Sequence, residues 1–178
     1  MFKTLKIFSP NIVSEDQLNE SWCMNIETKN ISDPRVPLLD KRNNNKAVLK
    51  IVPLYTNKKQ QYYSFAIPIK KDWSQVDLSQ EIDNLKLKFS INVVGAKYST
   101  INILFTSVID ENKTEVQSNK INLKKVVSEI NEWIDISIPL NVFVENNLKF
   151  STKTMRLFQV LGSEKPIVLL SNIRIESI

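Results

Sequence analysis

The residue types that carry most enzymatic chemistry are scarce in this chain. Its 178 residues include no histidine, one cysteine (Cys23) and two glycines. Without histidine there is no Ser-His-Asp or Cys-His group, no histidine-ligated zinc and no usual general base near neutral pH. Two distant glycines do not make a phosphate-binding loop.

A pair of carboxylates of the glycosidase type is the remaining catalytic option. The acids considered for it are Asp77, Glu81, Asp83 and Asp135. The first three border a predicted turn, where acids are usually solvated, and Asp135 points outward from a strand with no visible partner. We therefore predict that the chain is not an enzyme.

Binding chemistry is better represented, because several aromatic residues are not assigned to a core. Sugars stack their apolar C–H faces on aromatic rings, and planar polar side chains hydrogen-bond their hydroxyls. The aromatic candidates are Tyr62, Tyr63, Trp73 and Tyr98. Tyr62 and Tyr63 are adjacent, so in a strand one faces inward and one outward. For Trp73 the alternative is packing at the rim of the core.

Polar side chains on the outward faces of predicted strands complete the candidate site. Amide and guanidinium groups fix hydroxyls with defined geometry, which selects Asn92, Asn102 and Arg156 as ligand-binding candidates. Lys86 and Lys88 are instead expected on a solvated convex face. The sequence leaves open which sheet is concave, and a cleft rich in Lys and Arg would favour an acidic glycan.

Most of these candidates lie on predicted β-strands, in which apolar and polar residues alternate. Trp73 lies in a polar stretch between strands, and Tyr98 lies in a turn before a strand. The clearest alternating segment is 85–93, and further strands are predicted at 47–55, 61–69, 99–109, 134–138, 155–161 and 166–178, of which 167–175 is nearly continuously apolar and predicted to be buried on both sides. Helical signals are confined to 77–85 and 123–133. About eight short strands predict an all-β fold, an antiparallel β-sandwich or jelly roll with one or two short helical turns, as a single domain over 1–178.

The sequence also predicts a surface loop, the positions of two tryptophans and the residues of the tight turns. Residues 30–46 form the longest irregular stretch and predict a surface loop. Trp22 is predicted to be a core anchor with Cys23 on the opposite side, and Trp133 to cover one end of the core. Asparagine is expected at left-handed turn positions, at 42–46, 111–113 and 145–147, because glycine is so rare.

The net charge of +5 does not predict a nucleic-acid partner. Most of the cations are Lys rather than Arg, the better reader of bases and phosphates, and they are spread along the chain. No apolar run approaches the ~20 residues of a transmembrane helix, so no membrane partner is predicted. The first 16 residues lack the apolar segment of a signal peptide.

The order of the apolar motifs is familiar. "KAVLKIV" (46–52) is followed by "DNLKLKFSINV" (83–93), by the Trp-led "NEWIDISIPLNVF" (131–143) and by a closing "IVLLSNIRIESI" (167–178). This order resembles the galactose-binding-like jelly rolls, in particular the non-catalytic carbohydrate-binding modules of bacterial glycoside hydrolases. The resemblance covers residues 47–178.

The resemblance also raises the question of a structural calcium. Many such modules hold one with an Asp near the final strand, where this chain has Ser171. A hydroxyl is a poor replacement for a carboxylate in an oxygen-rich calcium site. We therefore expect no cofactor, and a calcium only if N-terminal acids such as Glu15, Asp16 and Glu20 supply its ligands.

The function implied by the resemblance is that of a non-catalytic carbohydrate-binding module or lectin-like domain, holding a poly- or oligosaccharide in a cleft on one sheet. The alternative is a structural or protein-interaction jelly roll, such as an assembly factor or a virion or complex subunit, without a sugar ligand. A catalytic domain or another protein is a further candidate partner. A carbohydrate-binding role implies a secreted or cell-surface location, although no signal peptide is predicted.

Overall fold

The fold is described from a computed structural model that covers residues 2–9, 21–30, 33–42, 46–54, 62–70, 72–95, 100–110, 114–163 and 165–178. The strands found there are β1 (Leu5–Phe8), β2 (Trp22–Met24), β3 (Thr28–Asn30), β4 (Asp33–Arg42), β5 (Lys46–Ile51), β6 (Tyr63–Pro68), β7 (Leu85–Val94), β8 (Asn102–Val108), β9 (Glu115–Gln117), β10 (Ile121–Asn122), β11 (Ile134–Pro139), β12 (Met155–Gly162) and β13 (Ile167–Ser177). The helical elements of these ranges are the 3-10 turns Ile82–Asn84, Leu123–Lys125 and Leu140–Phe143.

The strands form two antiparallel sheets. The first has the order β11-β7-β13-β5-β4-β3, and β1 also pairs with β13. The second has the order β10-β8-β12-β6-β2, and β9 also pairs with β8. The predicted all-β sandwich is confirmed. Two of the three 3-10 turns lie within the stretches predicted to be helical, 77–85 and 123–133.

The core lies between the sheets and is built by alternation. In β7 the five inward residues are Leu85, Leu87, Phe89, Ile91 and Val93, all of which are buried. On the second sheet, the ring of Phe105 meets the rings of Phe143 and Phe158 edge to face, at centroid distances of 5.0 Å and 5.8 Å. Because alternate residues of a strand point to opposite sides, each sheet also presents an outer face.

The prediction of a surface loop over 30–46 is wrong, because β4 occupies most of it. The segment contains Pro34 and Pro37, which normally argue against a central strand. The backbone reconciles them with pairing: Asp33 and Pro37 pair with β3, whereas the ladder with β5 begins only at Leu38. Among the described residues, the first half of β4 therefore pairs with β3 alone, as an edge strand pairs with one neighbour.

Asparagine supplies left-handed backbone positions, which confirms the prediction at 145–147, whereas the asparagines of 42–46 and 111–113 lie outside the described residues. Asn25, Asn131, Asn146 and Asn172 have φ values between 54° and 65°. Asn146 lies inside the predicted turn at 145–147, and Asn172 lies at an irregularity within β13, where it helps to shape the outer face of the first sheet.

Candidate functional site

The outer face of the second sheet carries several of the candidate residues. In β6, Tyr63, Phe65 and Ile67 face the core, so the residues between them face outward. Strand pairing aligns the outward residues in rows. One row contains Trp22, Ala66, Gln159 and Leu104, and the next contains Met24, Ser64, Leu161 and Asn102.

Trp22 lies on this outer face, and the prediction that it anchors the core is wrong. Its side chain is 47% exposed, whereas Cys23 beside it faces the core. Its neighbour on β6 is Ala66, which is too small to cover an indole ring. Burial raises the pKa of the Cys23 thiol to about 12, so that side chain is inert near neutral pH.

The two adjacent tyrosines face opposite ways, as predicted. Tyr62 is 77% exposed, and its backbone carbonyl accepts a 2.6 Å hydrogen bond from Asn25 Nδ2. Tyr63 is 1% exposed and lies against Gly162, where a Cβ would stand 2.4 Å from its hydroxyl oxygen. Tyr63 is therefore a core residue, which removes it from the candidate ligand surface.

Trp73 and Arg156 come together at one end of the second sheet. They line a pocket of ≈ 410 Å³ whose other walls are Asp72, Ser74, Gln75 and Val108. The Arg156 guanidinium carbon lies 4.9 Å from the centroid of the Trp73 ring, and Arg156 Nη1 lies 3.9 Å from Glu115 Oε1. This is the geometry of a cation–π contact.

The turn that carries Trp73 is held by local hydrogen bonds. Trp73 has a φ of 60°, which is unusual for a bulky residue. Its backbone N–H donates to Lys70 O at 3.1 Å, and Ser74 N donates to Asp72 Oδ1 at 3.0 Å. Hydrogen bonds from Ser74 lower the pKa of Asp72. Residues held in such sparsely populated conformations are concentrated at functional sites.

The middle of the same face is buried and carries polar atoms without partners. Leu104 is 0%, Thr106 1% and Gln159 8% exposed. Thr106 Oγ1, Gln159 Oε1 and Arg156 Nε are buried, and no hydrogen bond reaches them within the described part of the chain. Such groups are costly, because they have lost water without gaining a partner. The exposed parts of this face are therefore the Trp22 and Tyr62 edge and the Trp73 pocket.

The remaining sequence candidates are divided between the two sheets. Asn102 lies on the outer face of the second sheet, where its Nδ2 donates to Thr100 O at 3.2 Å. Asn92 lies on the outer face of the first sheet, opposite Leu169 of β13, and is 8% exposed. It is therefore not part of one site with Trp73 and Arg156. Tyr98 lies outside the described residues.

The outer face of the first sheet is strongly charged. Lys86 and Lys88 face outward, as predicted, and their Nζ atoms lie 4.0 Å and 3.2 Å from Glu176 Oε1. Arg174 Nε donates to Glu176 Oε2 at 2.7 Å. The hydrogen bond from Arg174, and after it that from Lys88, lowers the pKa of Glu176.

The described ranges contain neither a candidate metal cluster nor a candidate membrane-spanning helix. No group of three His, Cys, Asp or Glu side chains there is placed to hold a metal ion. Ser171 is buried in β13, and Glu15, Asp16 and Glu20 lie outside the described residues. None of the described helical segments is long and apolar enough to cross a membrane.

Comparison with known families gives a match over nearly the whole chain. The sequence pattern of the family described as carbohydrate binding domain 30 matches residues 10–177. A search of curated proteins finds no match.

Solved structures with the same fold are also found. A family 30 carbohydrate-binding module of a cellulosomal cellulase of Clostridium thermocellum is 20% identical, with a TM-score of 0.79, over 99% of this chain and 98% of that one. A second structure of a family 30 module is 20% identical, with a TM-score of 0.78, over 99% of this chain and 88% of that one. A family 11 module from Clostridium thermocellum, in complex with a β-1,3-1,4-mixed-linked tetrasaccharide, is 13% identical, with a TM-score of 0.65, over 98% and 95%.

Proposed function

Since the chain belongs to the carbohydrate-binding domain 30 family, we propose that it binds a β-linked glucan on the outer face of the second sheet. Membership makes it a non-catalytic carbohydrate-binding module, so its partner is an oligo- or polysaccharide. The observation that carries the choice of face is the exposed indole of Trp22, in one row with the unpartnered Gln159 Oε1.

Trp22 and Arg156, which stacks on Trp73, are spaced for an extended ligand. Trp22 lies on β2, two strands from β12, which carries Arg156. Neighbouring strands are ~4.8 Å apart and each residue adds ~3.4 Å along a strand, so Trp22 and Arg156 are separated by roughly 14 Å. This span accommodates several sugar rings, stacked on Trp22 at one end and reaching the Trp73 pocket at the other.

The unpartnered polar atoms supply hydrogen bonds along that path. Gln159 Oε1 and Thr106 Oγ1 can accept from sugar hydroxyls, and Arg156 Nε can donate to one. Because these atoms are covered in the free protein, the groups that cover them must move aside as the ligand arrives, a rearrangement that a substantial minority of complexes show. Each new bond relieves the cost of a buried, unsatisfied group.

Two solved structures of similar fold support a β-linked glucan as the ligand. The family 11 module was solved with a β-1,3-1,4-mixed-linked tetrasaccharide, and the first family 30 module belongs to a cellulase. Affinity electrophoresis tests the choice directly. The protein should be retarded in gels that contain soluble mixed-linked β-glucan, and should run unretarded through gels with the α-linked glucan starch. Free migration through every β-glucan gel would contradict the proposal.

We also propose that the module folds as one domain over residues 1–178. Calorimetry should then show a single unfolding transition.

We propose as well that the module works beside a glycan-degrading catalytic domain. Fused to a β-glucanase, the module should raise the hydrolysis rate on insoluble β-glucan and leave the rate on a soluble oligosaccharide unchanged. Equal rates on the insoluble substrate with and without the module would count against a targeting role.

A further inference from the structure

A polar pocket lies on the outer face of the first sheet, on the opposite side of the sandwich from the glucan face. At its edge β13 changes partner, since residues 168–170 pair with β5 and residues 173–175 with β1. The register with β7 shifts between Ser171 and Arg174, and Asn172 adopts a left-handed φ of 54°. The pocket at this bulge has a volume of ≈ 300 Å³.

Five polar side chains line the pocket, and their mutual contacts leave ligand positions open. The lining polar residues are Lys88, Ser90, Asp135, Asn172 and Arg174. Ser90 Oγ donates to Asp135 Oδ1 at 2.5 Å, which holds that carboxylate in place. Arg174 donates from Nε to Glu176 and from Nη1 to Asn172 O, at 3.3 Å. Asp135 Oδ2, the Asn172 side-chain amide and Arg174 Nη2 make no hydrogen bond with the described residues.

The charge around the pocket is positive. Lys86, Lys88 and Arg174 share the single carboxylate of Glu176, and Asp135 adds a second negative charge. Three cations against two carboxylates leave one positive charge, with both donors and acceptors at the walls. Phe89 and Ile136 reach the pocket from strands whose alternation turns these side chains into the sandwich, so the pocket offers no aromatic ring for stacking.

We propose that this pocket is a second ligand site, which takes a uronic acid unit of an acidic oligosaccharide. The carboxylate accepts charge-assisted hydrogen bonds from Arg174 and Lys88, and the ring hydroxyls bond to Asp135 and Asn172. Charge and hydrogen bonds select the ligand here, rather than stacking, so binding depends on salt. A uronate-bearing chain extending along β7 would next meet Asn92, whose buried Oδ1 has no partner in the described part of the chain.

The test is a titration of sodium glucuronate into the full ¹⁵N-labelled chain, followed by NMR. The amide signals of Ser90, Asn172 and Arg174 should shift and saturate, and the shifts should shrink in about 0.5 M salt. Arg174→Gln should weaken binding roughly tenfold, because it removes a charge-assisted hydrogen bond. Methyl glucoside has the same ring without the carboxylate, and should not saturate these signals over the same range.

Two further variants keep the result decisive. Lys50→Gln removes one positive charge from the same outer face and should leave the affinity for glucuronate unchanged. Lys50 does not line the pocket, and its Nζ lies 3.3 Å from Asp40 Oδ2. If Arg174→Gln misfolds, Asn172→Asp provides the test. Aspartate has the size of asparagine and tolerates the left-handed backbone, so this variant should weaken glucuronate binding through its added negative charge alone. Unshifted signals at the pocket, equal losses in Lys50→Gln and Arg174→Gln, or equal binding of methyl glucoside would each overturn the proposal.

Discussion

Replacing Trp22 with alanine should abolish most of the affinity for β-glucan and leave the protein folded. Taking about 200 Å² for a fully covered Trp side chain, its exposed 47% offers roughly 100 Å² to a ligand. At ~25 cal/mol per Å², covering half to all of that area contributes roughly 1–2.5 kcal/mol. This corresponds to a roughly five- to sixtyfold weaker Kd for the variant.

Isothermal titration with a mixed-linked β-glucan oligosaccharide measures the effect, with far-UV circular dichroism to verify folding. Trp22→Phe keeps a ring and should lose less affinity than Trp22→Ala. Leu148→Ala is the matched control, because Leu148 is fully exposed and lies outside the second sheet. A folded Trp22→Ala protein that binds within twofold of the wild type would refute the stacking role of this residue.

Other predictions concern the buried thiol of Cys23, the close packing of Tyr63 on Gly162 and the charged outer face of the first sheet. Cys23 should not react with a water-soluble thiol reagent at pH 8 until the chain is unfolded, because burial raises its pKa to about 12; fast reaction of the native protein would contradict its burial. Gly162→Ala should lower the free energy of unfolding by roughly 1–3 kcal/mol, because the new Cβ would stand 2.4 Å from the Tyr63 hydroxyl oxygen; an unchanged urea midpoint would show that the ring moves freely. Glu176 has a lowered pKa in the folded protein. Its ionised form therefore stabilises the fold at pH values above the ordinary Glu pKa of roughly 4.3, and this stabilisation is lost as the pH falls through the pKa of the folded state. Glu176→Gln should therefore make the melting temperature less dependent on pH between about 5 and 3, and parallel curves for the two proteins would argue against that ion network.

Much of the fold is predictable because, in a long strand, the alternation of apolar and polar residues shows which residues face the core. In 85–93 and 134–138, five and three inward positions alternate with polar residues, so both the strand and its buried face follow from the pattern. β2 is different, because Trp22, Cys23 and Met24 are all apolar and the strand is only three residues long. Such a segment does not reveal which residue faces inward, and the assumption that the largest one does is wrong here.

The composition of the candidate site depends on long-range pairing that a local pattern does not contain. Asn92 and Asn102 both lie on outward positions of strands, yet β7 belongs to the first sheet and β8 to the second. Trp73 and Arg156 were separate candidates in the sequence, and the backbone bond from Ile69 N to Arg156 O brings their segments together. The residue missed was Trp22, because its alternation with Cys23 shows that the two face opposite ways but not which of them faces inward.

The most direct test of the account uses the three tryptophans of the chain, whose indole N–H signals can be followed separately by NMR. Trp22 and Trp73 flank the outer face of the second sheet, whereas Trp133 precedes β11 at the edge of the first sheet. Titration with a β-1,3-1,4-mixed-linked tetrasaccharide should shift the indole signals of Trp22 and Trp73 and leave that of Trp133 in place. A shift of Trp133 alone, or no indole shift at saturation, would contradict the assignment of the glucan to the second sheet.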